Sequence, residues 1–425
     1  MNIKAEIDKI RHGFHRTFWV ANFTELFERL AYYGPQAVLA IYLHEKLGLS
    51  SEQATWLIGY YGFVVWFMPI IGGALADRFG FRKTLVGAFL MLAIGNFLLG
   101  SLSAAWMAPI RDILPLFALM HILMLVPAMG PAVVKPVVVG TTARSAKEEV
   151  RSIGYSIYYT VVNIGAALGP LVASIVRKSV GVEDVFLVSA GTTFAMAIVT
   201  LFFYEEPDRG SEPKVASIGE AFGNLLKVFL NLKFMSFLLI FSGFWVMYWQ
   251  QYISVPIFVR DYVNKDADVD RLLAIEATTV IATQFLVTWL TRKIPAFRAM
   301  IIGVLISSLS FLFLTFGGST GMVIAMLVFL AIGEVTQAPR YYEYVSRLAP
   351  PGQQGLFMGY AFLPIGIGYL VGGRLAGRLL HEFGEVRHAP ANMWYIVSAV
   401  GLLATLLMWV YNRVVTKKEA PPSTP

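Results

Sequence analysis

Long apolar runs separated by short polar loops dominate the pattern of this sequence. Each run is close to the length of about 20 mostly apolar residues that a helix needs to cross a bilayer. The runs lie at 17–43, 53–76, 84–104, 113–141, 152–176, 184–204, 232–259, 270–291, 299–316, 320–346, 355–380 and 391–412. The pattern therefore predicts an all-α membrane protein with twelve transmembrane helices.

The most polar stretch between two runs lies at 205–231 and divides the runs into two sets of six. It reads EEPDRGSEPK and then an amphipathic SIGEAFGNLLKVF. Two packed six-helix bundles are a common plan for transporters. We expect an N-terminal bundle at 1–204, a cytoplasmic linker at 205–231, a C-terminal bundle at 232–416 and a short polar tail at 417–425.

The distribution of Lys and Arg over the loops predicts the orientation. With the N-terminus in the cytoplasm, the cytoplasmic segments hold 22 of these residues and the outer segments hold 10. Cytoplasmic loops are the ones enriched in positive charge. The sequence therefore predicts a multi-pass protein of the cell inner (plasma) membrane with both termini in the cytoplasm. The first apolar run continues into a full-length helix, so no cleavable signal peptide is expected.

Composition narrows the function classes. The chain is 57% hydrophobic and 14% charged, which leaves too few charges for a water-soluble surface, so lipid is a partner. It has no cysteine, and its six histidines lack metal-ligand spacing, so we expect neither metal nor cofactor. The net charge of +7 fits basic cytoplasmic loops rather than nucleic-acid binding. Neither a nucleophile elbow nor a phosphate-binding loop occurs, so the chain is predicted not to be an enzyme.

The first run carries polar residues where lipid-facing residues are expected. Glu25, Glu28, Arg29, Tyr32 and Gln36 fall within roughly 100° of arc on a helix. A charge at the bilayer centre costs about 2.5–3.5 kcal/mol, so such residues persist only with partners or a function. The stripe is therefore expected to face a cavity. Two carboxylates beside one arginine leave one net negative charge, which suits a proton carrier.

Further motifs follow in order along the chain. They are Glu25-x-x-Glu28-Arg29-x-x-Tyr32-Tyr33-Gly34, Lys135-Pro136, Tyr158-Tyr159-x-x-x-Asn163-x-Gly165, Phe244-Trp245-x-x-Tyr248-x-Gln250, Glu334-x-x-x-Ala338-Pro339 and Leu348-Ala349-Pro350. Together they resemble the proton-dependent oligopeptide transporter (POT/PTR) family of the major facilitator superfamily. The resemblance covers nearly the whole chain and implies two six-helix bundles that open alternately to each side. It also implies proton-coupled uptake of di- or tripeptides or peptide-like molecules.

The resemblance also implies roles for individual residues. The proton-coupling residues would be Glu25, Glu28, Arg29, Lys135 and Glu334. The substrate-binding residues would be Arg29, Tyr32, Tyr33, Gln36, Trp66, Lys135, Tyr159, Asn163, Trp245, Tyr248, Gln250 and Glu334. Near Glu25 or Glu28, Lys135 would stay charged, and protonation of the acid would release it. The alternative is a buried structural ion pair.

Three positions depart from the family pattern. Gln36 replaces a second arginine, Trp66 replaces a pocket tyrosine, and Trp249 replaces an acid that partners the fourth-helix lysine. The pocket is thus less charged and more aromatic than a dipeptide site. The alternative function is a drug or metabolite exporter driven by proton antiport. A non-transporting receptor or scaffold is a third, less favoured interpretation.

Residues near the loops are predicted to form gates. The superfamily loop motif after the second run comprises Gly73, Asp77, Arg78, Gly80, Arg82 and Lys83. Arg340 and Glu343 are three residues apart at the inner end of the tenth run, where they can pair. Glu276, six residues into the eighth run, either faces the outer vestibule or is an interfacial surface acid, and we favour the second interpretation.

Overall fold

One long helix lies in each of the twelve apolar runs. The computed structural model describes residues 12–69, 72, 76, 78–207, 228–348, 357 and 359–416. The helices are α1 (Arg16–Ile41), α2 (Ser51–Phe67), α3 (Phe81–Gly100), α4 (Leu116–Ser145), α5 (Arg151–Ser179), α6 (Val182–Phe203), α7 (Leu232–Tyr248), α8 (Val269–Thr291), α9 (Ala296–Ser310), α10 (Thr320–Leu348), α11 (Leu363–Leu379) and α12 (Met393–Tyr411). The prediction of twelve helices is confirmed.

Nine helical segments of the described chain are long and apolar enough to cross a membrane. The other three helices differ from these in charge or in length. Helix α1 carries Glu25, Glu28 and Arg29 in its middle, and α2 and α11 are 17 residues long. The polar stripe therefore makes the middle of α1 poorly suited to contact with lipid.

The chain forms two compact units. Unit 1 comprises Met1–Tyr42 and Phe67–Ile218, and unit 2 comprises Leu43–Trp66 and Gly219–Pro425. Helix α2 thus belongs to the same unit as α7–α12. The reason is that α2 packs on α11. The proposed linker at 205–231 lies largely outside the described residues, as does the tail at 417–425.

In unit 1, α1 packs against α5 and α6, and α3 packs against α4 and α6. Helices α1 and α5 approach closely because α5 has a glycine at the contact. A Cβ on Gly165 would collide with the Arg29 side chain. A core that includes Phe81, Phe89 and Val137 fills the space between α3 and α4. This packing presses the polar stripe of α1 against neighbouring helices.

In unit 2, α7 packs against α11 and α12, while α10 packs against α8 and α9. Glycines again allow α2 to approach α11. A Cβ on Gly59 would lie 2.6 Å from the Tyr369 carbonyl oxygen and 3.0 Å from the Cα of Gly373. Any larger residue at Gly59 would therefore push the two helices apart.

Charged side chains join the segment before α2 to the residues that follow α7. His44 Nε2 lies 3.2 Å from an Asp261 carboxylate oxygen. Arg260 donates to both carboxylate oxygens of Glu45, at 2.7 and 2.8 Å. The hydrogen bond that His44 forms to the Asp261 carboxylate raises the pKa of His44 above the ordinary histidine value. Both contacts lie within unit 2.

Candidate functional site

The polar stripe of α1 forms a buried charge cluster in unit 1. Glu25, Glu28 and Arg29 are at most 1% exposed. The Arg29 Nε donates to Glu28 Oε2 at 2.5 Å and lies 3.3 Å from Glu25 Oε1. A second guanidinium nitrogen of Arg29 also contacts Glu28. Arg29 thus pairs with both acids of its own helix, as their spacing predicted.

Lys135 on α4 completes this charge cluster. It lies within electrostatic range of Glu25, Glu28 and Arg29. Three prolines interrupt the hydrogen bonding of α4, and one of them, Pro136, directly follows Lys135. With both acids ionised, the two cations balance the two anions. One added proton would leave a cation in excess, so the cluster can couple a proton to the release of Lys135 or Arg29.

Tyrosines extend the cluster along α1. The Arg29 guanidinium lies 5.3 Å from the centre of the Tyr32 ring, which suits a cation–π contact. The Tyr32 and Tyr33 rings meet edge to face at 5.1 Å. Gln36, one turn beyond Tyr32, is also buried. Tyr32 therefore contacts the charge cluster directly, and Tyr33 contacts Tyr32.

Helix α5 carries two adjacent tyrosines in different environments. Tyr158 lies within electrostatic range of Arg29, whereas Tyr159 is 48% exposed on the surface of unit 1. The Asn163 amide donates to the Tyr159 backbone carbonyl at 2.8 Å, so its side chain is engaged by its own helix. Tyr158 is thus the tyrosine of α5 that lies near the charge cluster, and contact between Tyr159 and substrate stays a prediction.

Two carboxyl groups share one tyrosine in unit 2. The Tyr248 hydroxyl lies 3.1 Å from Glu276 Oε1 and 2.9 Å from Glu334 Oε2. A hydroxyl has one proton and can donate fully to only one of these oxygens. Within the described residues, the charged group acting on Glu276 is Glu334, and no cation accompanies it.

The interpretation of Glu276 as a surface acid is wrong. This side chain is 4% exposed and faces Tyr248 inside unit 2. A charged residue inside an apolar run persists only with a partner or a function. This argument singled out Glu334, and it applies equally to Glu276 in the run 270–291. Spacing alone did not show which face of α8 would turn inward.

Aromatic side chains form a wall in unit 2. The Trp249 ring stacks on Tyr369 at 4.1 Å and lies 5.6 Å from Trp245 and 6.2 Å from Trp66. Buried indole N–H groups usually have a hydrogen-bond partner. Within the described chain, those of Trp245 and Trp249 have none, although both residues are buried. They can therefore donate to a bound molecule.

Gln250 occupies a packing position. Its amide donates to the carbonyls of Val246 and Gly372, at 2.9 and 3.1 Å, and accepts from Ser254 at 2.7 Å. The bond to Gly372 joins the residues just after α7 to α11. The Gln250 amide thus forms these hydrogen bonds within unit 2, whereas the resemblance implied that it contacts substrate.

The superfamily loop motif surrounds the start of α3. Gly73 and Asp77 lie outside the described residues. The backbone N–H groups of Phe81 and Arg82 donate to the Glu206 carboxylate at 2.6 and 2.8 Å. A carboxylate is stabilised at a helix N-terminus by the helix dipole. Arg82 also donates to the carbonyl of Leu201, so this part of the motif joins α3 to the end of α6.

The remaining motif residues are Arg78, Gly80 and Lys83, all close to the start of α3. Gly80 has a φ of 89°, a left-handed conformation that favours glycine. The Arg78 guanidinium lies 5.5 Å from the Phe79 ring, and Lys83 lies on the exposed side of the first turn. The glycine thus turns the chain into α3.

The predicted ion pair on α10 is present. Arg340 donates to Glu343 at 2.9 Å, and Arg347 donates to the other carboxylate oxygen of Glu343 at 2.6 Å. Arg340 also reaches the carbonyl of Thr291 at 3.4 Å. The pair therefore links the ends of α8 and α10 within unit 2.

The twelve helices and their buried charges match one large group of membrane proteins. The sequence matches the Major Facilitator Superfamily over residues 22–270 and 266–425. The chain belongs to the major facilitator superfamily. It is therefore a multi-pass membrane transporter with the fold of that superfamily, and it is not an enzyme.

Similar proteins fall into two groups. Multidrug resistance protein MdtH of Photorhabdus laumondii is 22% identical over 90% of both chains. Among solved structures, the POT family transporter PepTSo has a TM-score of 0.78 at 17% identity, covering 95% of this chain and 99% of the other. A POT family transporter in complex with a thioalcohol-conjugated peptide has a TM-score of 0.77 at 19% identity, covering 94% and 97%. These structures share the fold of this chain.

Proposed function

We propose that this protein is a secondary active symporter that takes up di- or tripeptides or peptide-like small molecules together with protons by alternating access. It would do so in the cell inner membrane with both termini in the cytoplasm. The observation that carries the proposal is the charge cluster of Glu25, Glu28, Arg29 and Lys135, buried in unit 1 with balanced charge.

A balanced buried cluster suits proton coupling for an electrostatic reason. Breaking a buried ion pair leaves an uncompensated charge, which costs several kcal/mol. A proton on Glu25 or Glu28 leaves one cation without a partner, and a carboxylate of the substrate can then restore the balance. One proton moving down 100 mV supplies about 2.3 kcal/mol, enough for roughly 50-fold accumulation.

The chemistry of unit 1 suits a peptide-like substrate, because the carboxylate of such a molecule matches the guanidinium of Arg29. The solved POT family neighbour bound to a peptide conjugate supports the same substrate class.

The second candidate is an exporter of drugs or metabolites by proton antiport. Two observations favour it: sequence relatives are named multidrug resistance proteins, and aromatic side chains line unit 2 around Trp249. Aromatic walls suit lipophilic cations, and the same acids could exchange a proton for such a cation.

Reconstituted vesicles distinguish the two candidates. With an alkaline interior, the symporter is expected to accumulate labelled dialanine severalfold, and a matched pH on both sides removes the accumulation. Glu28→Gln is expected to abolish it, whereas the exposed control Glu52→Gln keeps it. Efflux of tetraphenylphosphonium against its gradient, without dialanine transport, would replace this proposal with the exporter.

A further inference from the structure

A groove lies between the start of α9 and the end of α12, and its lining includes neither Glu276 nor Glu334. Its volume is about 760 Å³, and its lining includes Arg298 and Ile302 from α9, and Trp409 and Arg413 from α12 or just beyond it. The two helices pack against each other in unit 2. None of these residues has a part in the proposed transport chemistry.

The groove is positively charged at one end. Arg298 and Arg413 are both exposed, and the lining contains no acidic residue. Within the described residues, neither guanidinium forms an ion pair, and that of Arg413 lies 4.2 Å from the centre of the Trp409 ring. A guanidinium offers phosphate two parallel donors in a fixed geometry. The groove therefore presents two phosphate-binding groups without a competing anion.

The rest of the groove is apolar and belongs to the membrane-spanning region. Ile301 and Ile302 continue from Arg298 along α9, and Ile302 is 39% exposed. Both helices lie in segments apolar enough to span a bilayer, Ala296–Phe316 and Pro390–Val414. Because Arg298 lies near the start of one segment and Arg413 near the end of its neighbour, both mark the same membrane face. Trp409, 43% exposed, is of a type enriched at that depth.

We propose that this groove binds one anionic phospholipid. Its phosphate would lie between Arg298 and Arg413, and an acyl chain would run along Ile301 and Ile302. A zwitterionic lipid would bind more weakly, because the lining offers no carboxylate for its ammonium group. Basic pockets between transmembrane helices bind anionic headgroups on the cytoplasmic side.

Native mass spectrometry of protein released from nanodiscs of equal phosphatidylglycerol and phosphatidylcholine tests this site. We expect the wild-type protein to retain one phosphatidylglycerol, and Arg298→Gln with Arg413→Gln to weaken retention about 30-fold. The control is Arg292→Gln with Lys293→Gln, which removes the same charge from exposed residues just before α9 and should retain the lipid. The variant Ile302→Glu keeps both arginines and should also lose the bound phosphatidylglycerol.

The same preparations separate a lipid from a free anion. Thermal unfolding should shift upward with added phosphatidylglycerol and not with inorganic phosphate at the same concentration. Equal retention of phosphatidylcholine, equal loss in the control pair, or equal protection by phosphate would each overturn the proposal. Because no readout depends on transport, the result is independent of the proposed symport.

Discussion

Arg29 is the residue on which the unit 1 site depends. It contacts both Glu25 and Glu28, and its side chain is 1% exposed, so it has no solvent to replace either partner. Lys135 lies within electrostatic range of all three and reaches them from another helix. The arginine therefore holds the two acids locally, and we propose that of the two cations Lys135 is the one that protonation of an acid releases.

Replacing Lys135 tests this division of roles. Lys135→Ala removes the cation that responds to the proton, so we expect substrate binding to persist and proton-driven uptake to fall to background. Binding is measured by thermal shift with dialanine, and uptake is measured in vesicles with an imposed pH gradient.

The control for this variant is Lys178→Ala, at the exposed end of α5. This variant should leave both dialanine binding and proton-driven uptake unchanged. Accumulation against a gradient by Lys135→Ala would show that the lysine is only a structural ion-pair partner.

Helix packing sets how close the charged side chains can come. The stripe on α1 could be predicted because five positions at helical spacing share one face. The inward faces of α5 and α8 could not, since Tyr158 or Tyr159, and a buried or interfacial Glu276, fit the pattern equally well. Their selection depends on contacts with other helices.

Two glycine substitutions test the packing of α1 on α5. A Cβ on Gly165 meets Arg29, whereas a Cβ on Gly191 of α6 meets nothing within 4 Å. Gly165→Ala is expected to destabilise the protein by about 1–3 kcal/mol through overpacking. Gly191→Ala should be neutral or stabilise it by up to about 1 kcal/mol through helix propensity.

Chemical denaturation in detergent measures both variants under the same conditions. Equal stabilities would contradict the close contact between α1 and α5.

The His44–Asp261 contact makes stability depend on pH. Because Asp261 raises the pKa of His44 in the folded protein, the stabilisation is fully present below the ordinary histidine pKa. It is lost as the pH rises through the raised value. We therefore expect the wild-type melting temperature to fall more between pH 6 and 9 than that of His44→Gln.

The control is His388→Asn, since His388 lies in a loop of the same unit and the ion pairs that histidines form among the described residues belong to His15, His44 and His381. It should keep the wild-type pH dependence. If the melting temperature of His44→Gln fell with pH as much as that of the wild-type protein, the His44–Asp261 contact would be excluded as the source of the pH dependence.

At the scale of the whole molecule, the sequence predicts the twelve helices well, because each needs only a long apolar run. The grouping of the helices is harder to predict. Helix α2 precedes α3 in the chain, yet it packs with unit 2 because Gly59 and Gly373 allow it to approach α11. Such a contact joins residues far apart in sequence and leaves no local periodic signal.

Simultaneous measurement of proton and solute flux in sealed vesicles tests the central claim most directly. The account predicts that dialanine entry is accompanied by proton entry, and that Glu25→Gln or Glu28→Gln abolishes both fluxes. Collapsing the pH difference and the voltage should leave solute at equal concentrations on both sides. Accumulation to the same level with both gradients collapsed would contradict proton coupling.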